Sequence, residues 1–343
     1  MRKLLNTLYV TSSDAYLSLD GENIVIKKEN EEVSRIPLHN LESIVAFGYT
    51  GASPALMGAC AKRNINLCFM TPSGKFLARI IGEVRGNVTL RKTQYRLSEN
   101  EYESAKIAKS FIIGKVHNSR CVIERFTRDH ALRLDVEKLK KVSSSIADSL
   151  KVIAECENLE QLRGLEGECA NKYFGVFDDF ILQQKDNFYF ENRNKRPPLD
   201  NVNAMLSFVY TLMANDICAS LETVGLDPYV GFLHRDRPGR ASLALDLMEE
   251  LRPVYADRFV LSLINRRVVS KSGFIKKENG SVIMDDDTRR AILTLWQEKK
   301  QEKIIHPFLE EKIEWGLVGY VQSLLLARFI RGDLDAYPPF LWR

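Results

Sequence analysis

Leu159-Glu160-Gln161-Leu162-Arg163-Gly164-Leu165-Glu166-Gly167-Glu168-Cys169-Ala170-Asn171-Lys172-Tyr173 is the stretch on which the fold turns. Wound as an α-helix, it puts Leu159, Leu162, Glu166, Cys169 and Tyr173 at i, i+3, i+7, i+10 and i+14. That is one stripe, apolar except for a carboxylate at its middle. A carboxylate on a packing face is costly unless it pairs, shifts its pKa or binds a metal. Gly164 and Gly167 bracket it. Each glycine costs a helix roughly 1 kcal/mol relative to alanine, which predicts close approach of something bulky. Two readings of Glu166 stand: a core carboxylate bonded to an Arg or a Tyr, and a functional acid.

The same 3.6-residue period governs the chain on both sides of this helix. Residues 102–126, 136–155, 202–221, 242–252, 256–269 and 307–330 read as further helices, and the 159 helix extends to 177. Before residue 90 the signal is different. Short β-prone runs at 8–11, 15–19, 24–27, 33–37, 43–47, 66–70 and 76–81 are separated by turn residues, with one short helix at 53–63. Asp20-Gly21 marks a tight hairpin. The expected fold is α+β: a β-rich N-terminal domain over 1–90, then a larger all-α domain over 91–343. Residues 183–196 are polar and aromatic and read as an exposed connection inside the second domain.

Length and composition bound the class. The 343 residues suffice for about two domains, and 45% hydrophobic with 27% charged residues is ordinary for a globular protein. No continuous apolar run reaches the roughly 18 residues of a membrane span. Met1-Arg2-Lys3-Leu4-Leu5-Asn6-Thr7 leads directly into strand pattern without a signal peptide's apolar region, so a cytoplasmic protein is expected. The six cysteines form no Cys-x-x-Cys pair and read as reduced core thiols. Net charge is only +4, but residues 231–277 carry ten Lys/Arg against five Asp/Glu. A basic surround with an acidic centre suits a metal site that meets a phosphate backbone, and a solvated surface has the same look.

Within that basic region His234 follows an apolar stretch, Asp246 comes twelve residues later, and Glu249 three beyond that. Leu243, Leu247 and Leu251 form the packing stripe of the 242–252 helix, which puts Asp246 and Glu249 together on another face. Two like charges that close require a cation or several donors between them. Imidazole with carboxylates suits Mn²⁺, and carboxylates alone suit Mg²⁺. Asp285-Asp286-Asp287 reads as a helix N-cap with acids in the first turn rather than a metal site. Tyr173 reads as a core aromatic closing its stripe, the other reading being a phosphate-orienting hydroxyl. His39, His117, His130 and His306 have no acids at useful spacing and read as structural.

These residues resemble a known family. Residues 162–174 look like the catalytic-glutamate helix of the CRISPR-associated adaptation integrase, the first Cas protein; His234 and the 242–253 segment match two further blocks in the same order. Arg196-Pro197-Pro198-Leu199-Asp200-Asn201-Val202-Asn203-Ala204 matches a fourth, and Gly332-Asp333-Leu334-Asp335-Ala336-Tyr337-Pro338-Pro339-Phe340 is similar to the branch found with type I-C systems. The resemblance implies a β domain and an all-α domain that holds one divalent ion, Mn²⁺ or Mg²⁺, through Glu166, His234 and Glu249. Asp246 matches a second acid beside the metal. Glu249 stands where the family often has Asp, keeping the charge on a longer arm.

The implied reaction is metal-dependent integration: the 3′-hydroxyl of a captured DNA fragment attacks a phosphodiester at the border of a CRISPR repeat, and the fragment becomes a new spacer. With water as nucleophile the same site is a DNA endonuclease. Candidate phosphate clamps, from charge and nearness in sequence, are Arg196, Arg237, Arg240, Arg252, Arg258, Arg266, Arg267 and Lys271, together with Arg193 and Lys195. For each, a solvated surface role stands beside the DNA-binding one. The resemblance further implies double-stranded DNA as partner, a homodimer built through the β domain, and a dimer of the small companion adaptation protein between two such dimers. A non-catalytic DNA-binding scaffold and a stand-alone metal-dependent repair nuclease are the competing functions.

Overall fold

β-branched residues in short runs punctuated by turns cannot bury a helical stripe, and they pair instead. In the computed structural model, which describes residues 6–72, 74–82 and 88–342, the N-terminal strands form two sheets. Strands β1 (Thr7–Val10), β5 (Ser43–Phe47), β6 (Asn66–Met70) and β7 (Phe76–Ile80) lie in the order β1-β5-β6-β7, parallel except for β7. β5 is buried along its whole length, as its apolar sequence requires of an internal parallel strand. Strands β2 (Tyr16–Asp20), β3 (Asn23–Lys28) and β4 (Glu31–Pro37) form an antiparallel meander. Asp20 pairs with Asn23 across the expected tight turn, where Gly21 takes a φ of +56°. Helix α1 (Pro54–Arg63) starts at Ser53, whose side chain accepts from the Leu56 amide. Leu17, Ile24, Leu38, Ile44, Leu56 and Leu67 are the centre of the core they share.

The helical part is organised on a 29-residue helix. After α2 (Val88–Glu99), Asn100 caps α3 (Glu101–Asp129) by accepting from the amides of Tyr102 and Glu103. Helices α4 (Val136–Glu155), α5 (Leu159–Phe174) and α7 (Ser242–Leu251) pack on α3, and α6 (Asn201–Thr223) packs on α7. α6 is long and apolar enough to cross a membrane, but 61% of its apolar window is buried inside the fold, as in the core helix of a globular domain. α7 runs through a π-helical segment, Arg252–Asp257, into α8 (Arg258–Asn265). Two short ribbons follow, β8 (Phe274–Lys276) with β9 (Val282–Met284) and β10 (Lys303–Ile305) with β11 (Lys312–Glu314); α9 (Asp286–Gln301) lies between them and α10 (Trp315–Ile330) after.

The α+β class expected from the change of period is the class observed. The compact units are Met1–Arg85 with Met284–Glu302 and Glu314–Leu317, and Gly86–Ile283 with Lys303–Ile313 and Val318–Arg343. α9 thus belongs with the strands, a grouping no local pattern announces. Asp285 caps α9 by accepting from the Thr288 amide, as its sequence predicts. The helix expected over 307–330 is shorter: a turn and β11 precede α10. The prediction of close approach at Gly164 and Gly167 fails, since a Cβ at either would meet nothing within 4 Å. The close approach is at Gly114 of α3, where a Cβ would come within 2.7 Å of Glu250 Cβ and 3.2 Å of Pro339 Cβ.

Candidate metal centre

Three segments far apart in the chain converge because α5 and α7 both pack on α3 and a loop covers α7. The loop is set by Gly231, whose Cβ would lie 2.8 Å from Asp246 Oδ2. Only a residue without a side chain lets the backbone wrap this carboxylate. Asp246 then accepts from three successive amides: Phe232 at 2.7 Å, Leu233 at 2.9 Å and His234 at 2.9 Å. His234 Nδ1 is a further 2.6 Å from Asp246 Oδ1. An oxygen already surrounded by amide donors requires Nδ1 to carry a proton, which turns Nε2 away from Asp246.

That nitrogen faces Glu249, with Nε2 3.9 Å from Oε1. Glu249 is 4% exposed. Burial alone would raise its pKa, but the charges of Arg252, Lys115 and His234 prevail and hold it below the usual carboxylate range. Arg252 Nη1 is 2.9 Å from Oε1. Its guanidinium lies 4.9 Å from the Tyr210 ring centroid, and the Tyr210 hydroxyl donates to buried Asp257 at 2.5 Å. Glu166 approaches from α5 and shares the Lys115 ammonium with Glu249: Lys115 Nζ contacts Glu166 Oε1 and lies 2.7 Å from Glu249 Oε2. That Glu249 oxygen is buried, with the Lys115 ammonium as the counter-charge beside it.

Glu166, His234 and Glu249 line one cleft of about 200 Å³ with Arg163, Leu233, Arg235, Arg237 and Arg240. Arg163 stands one turn before Glu166 and donates to the Leu233 carbonyl at 2.7 Å, which ties the His234 loop to α5. Arg235 reaches Glu160 of the same helix at 2.7 Å. Burial, followed by the neighbouring charges of Arg237 and then Arg196, lowers the pKa of Arg240, the mark of a crowded positive rim.

Asp246, expected among the reacting groups, is fully buried and outside the cleft; its four donors make it the holder of His234. Of the expected clamps, Arg237 and Arg240 line the cleft. Arg252 is turned inward onto Glu249, Arg258 lies 4.3 Å from the Trp342 ring centroid, and Arg267 donates to Gln183 at 2.9 Å. Arg266 and Lys271 are not among the lining residues. Tyr173 is a core aromatic whose hydroxyl donates to Asp257 at 3.2 Å. His306 is buried against Gln322, and His117 contacts the Trp342 carbonyl. All six cysteines are free. The sequence reading missed Lys115. A lone cation between Gly114 and Val116 in an apolar helical run was its only signal.

Among the described residues, no three His, Cys, Asp or Glu side chains meet ready to hold an ion. The Lys115 ammonium contacts both Glu166 and Glu249. The donors fit in kind: two carboxylates and one imidazole nitrogen suit a hard or borderline divalent ion. The sequence matches the family described as CRISPR associated protein Cas1 over residues 8–298. The chain belongs to the Cas1 family. It is 49% identical over 343 residues to the CRISPR-associated endonuclease Cas1 1 of Chlorobaculum tepidum, covering all of both chains. It is 50% identical over 347 residues to the CRISPR-associated endonuclease Cas1 2 of Rhodospirillum rubrum, again over the whole of both. Among solved structures, a casposase bound to its integration product shares the fold with a TM-score of 0.84 and 24% identity, over 98% of this chain and 93% of that one. The arrangement above is therefore a site within a Cas1 fold.

Proposed function

We propose that this protein is a metal-dependent DNA endonuclease and integrase of CRISPR adaptation, joining captured fragments at a CRISPR repeat by 3′-hydroxyl attack on a phosphodiester. The observation that carries the proposal is that Glu166, His234 and Glu249 line one arginine-rimmed cleft. Support comes from full-length relatives at 49% and 50% identity that are named endonucleases. Glu166, Glu249 and His234 Nε2 would hold the ion. Bound there, Mn²⁺ or Mg²⁺ supplies Lewis-acid charge to a scissile phosphate. Asp246 fixes the His234 tautomer, and Arg252 keeps Glu249 ionised and in place. Arg163 sets the loop, while Arg237 and Arg240 offer guanidinium groups to the DNA backbone. With little covalent work left to side chains, positioning dominates the rate. The working form is a homodimer, with double-stranded DNA and the small companion adaptation protein as partners.

Glu166→Gln is the test. With Mn²⁺ it is expected to lose cutting and joining of a labelled fragment to a repeat-bearing plasmid, by about a hundredfold or more, while DNA binding persists. Wild-type rates in the variant would remove the catalytic reading. Joining that proceeds equally on plasmids without a repeat would favour a general repair nuclease.

A further inference from the structure

Lys115 comes from the middle of α3, and its side chain is 11% exposed. Its neighbour Gly114 is where α3 comes against Glu250 of α7, so the backbone that carries Lys115 is pressed against the helix that carries Glu249. The ammonium contacts Glu166 and Glu249 together. Arg252 pairs directly with Glu249, and among the described residues the close ion-pair partner of Glu166 is Lys115. Without a cation between them, two carboxylates converging on one point repel each other and drive their helices apart. We propose that Lys115 is the built-in cation of this site. It holds Glu166 and Glu249 together before a divalent ion is bound, and the ion enters by displacing its ammonium. This rests on the reading of the site given under Proposed function. Lysine suits the task because its charge is a compact head on a flexible four-carbon stem, able to leave without moving the helix. It is a positioning residue, since its role is to keep two ligands at working separation.

The experiment titrates Mn²⁺ into the full-length, chelator-stripped protein by calorimetry and follows thermal unfolding with EDTA or Mn²⁺. Wild type is expected to bind Mn²⁺, and Glu166→Gln and Glu249→Gln to lose that binding. If wild type fails to bind, or both variants bind equally well, the site reading itself is wrong and Lys115 falls with it. Given those controls, Lys115→Met is expected to melt lower than wild type in EDTA and to bind Mn²⁺ about tenfold more tightly, its ammonium no longer competing. Lys115→Arg keeps a cation and its fold, and its less readily displaced fork is expected to weaken Mn²⁺ binding about threefold or more. Affinities within about twofold of wild type in both Lys115 variants, with the Glu controls intact, would overturn the inference alone. Should Lys115→Met not fold in EDTA, the arginine variant decides.

Discussion

Asp246 shows how much one side chain can organise without touching a substrate. Its two oxygens collect three backbone amides and one imidazole N–H, so loop path and ring orientation are decided together. Asp246→Asn replaces one acceptor oxygen by a donor that faces other donors. Leaving buried donors unmatched costs about 1–3 kcal/mol. Losing the carboxylate behind a ligating imidazole typically costs 10–100-fold in metal affinity or activity. Both losses are expected in Asp246→Asn, read from denaturant melts and from Mn²⁺-dependent cleavage. Unchanged cleavage in a folded variant would show that His234 needs no such support.

At the scale of elements, glycine usage discriminates between packing and open surface. Gly114 sits where α3 meets α7, and Gly114→Ala is expected to force these helices apart, at about 1–3 kcal/mol in a denaturant melt. Gly164 and Gly167 face open space on α5, so alanine at either is expected to stabilise the protein by up to about 1 kcal/mol. If Gly114→Ala is as stable as Gly164→Ala, the close packing of α3 on α7 is wrong. The sequence made this contrast hard to see. Gly164 and Gly167 flank the suspicious acid and attracted the packing argument, whereas Gly114 lies in a long apolar helix where nothing local says which face meets which partner. Glu166 and the Asp246 to Glu249 spacing were legible because an acid on an apolar stripe breaks a period. Lys115 was not, because a lysine in a helix usually extends its head to solvent along an apolar stem.

At the scale of the molecule, the change from period 2 to period 3.6 near residue 90 announced the class of fold. The return of α9 to the strand unit was not legible, since that grouping is a tertiary fact. Stability as a function of pH belongs at this scale too. Burial pushes the Glu250 carboxyl from 4.5 up to about 7, against hydrogen bonds from Tyr337, Gln322 and the Phe340 amide. Burial likewise raises Asp257 to about 6. A raised folded-state pKa means that the folded chain keeps a proton the unfolded chain releases. The stability contributed by neutral Glu250 is therefore full below about pH 4.5 and lost as pH rises to about 7. Glu250→Gln removes this dependence. Its stability relative to wild type is expected to improve by up to about 3 kcal/mol between those limits, measured by urea melts at a series of pH values. A flat difference would mean that Glu250 titrates alike in both states.

The donors that Glu250 collects come from late in the polypeptide. The Phe340 amide reaches Glu250 Oε2 at 2.8 Å across 90 positions, and Asn118 of α3 donates to the Phe340 carbonyl and accepts from the Trp342 amide. During synthesis, then, the helix bearing Glu249 leaves the ribosome long before the segment that clasps its neighbour. A chain interrupted before that segment carries Glu250 but lacks the Tyr337 hydroxyl and the Phe340 amide that donate to it. Glu250 thus receives these two donors only once residue 340 has been made.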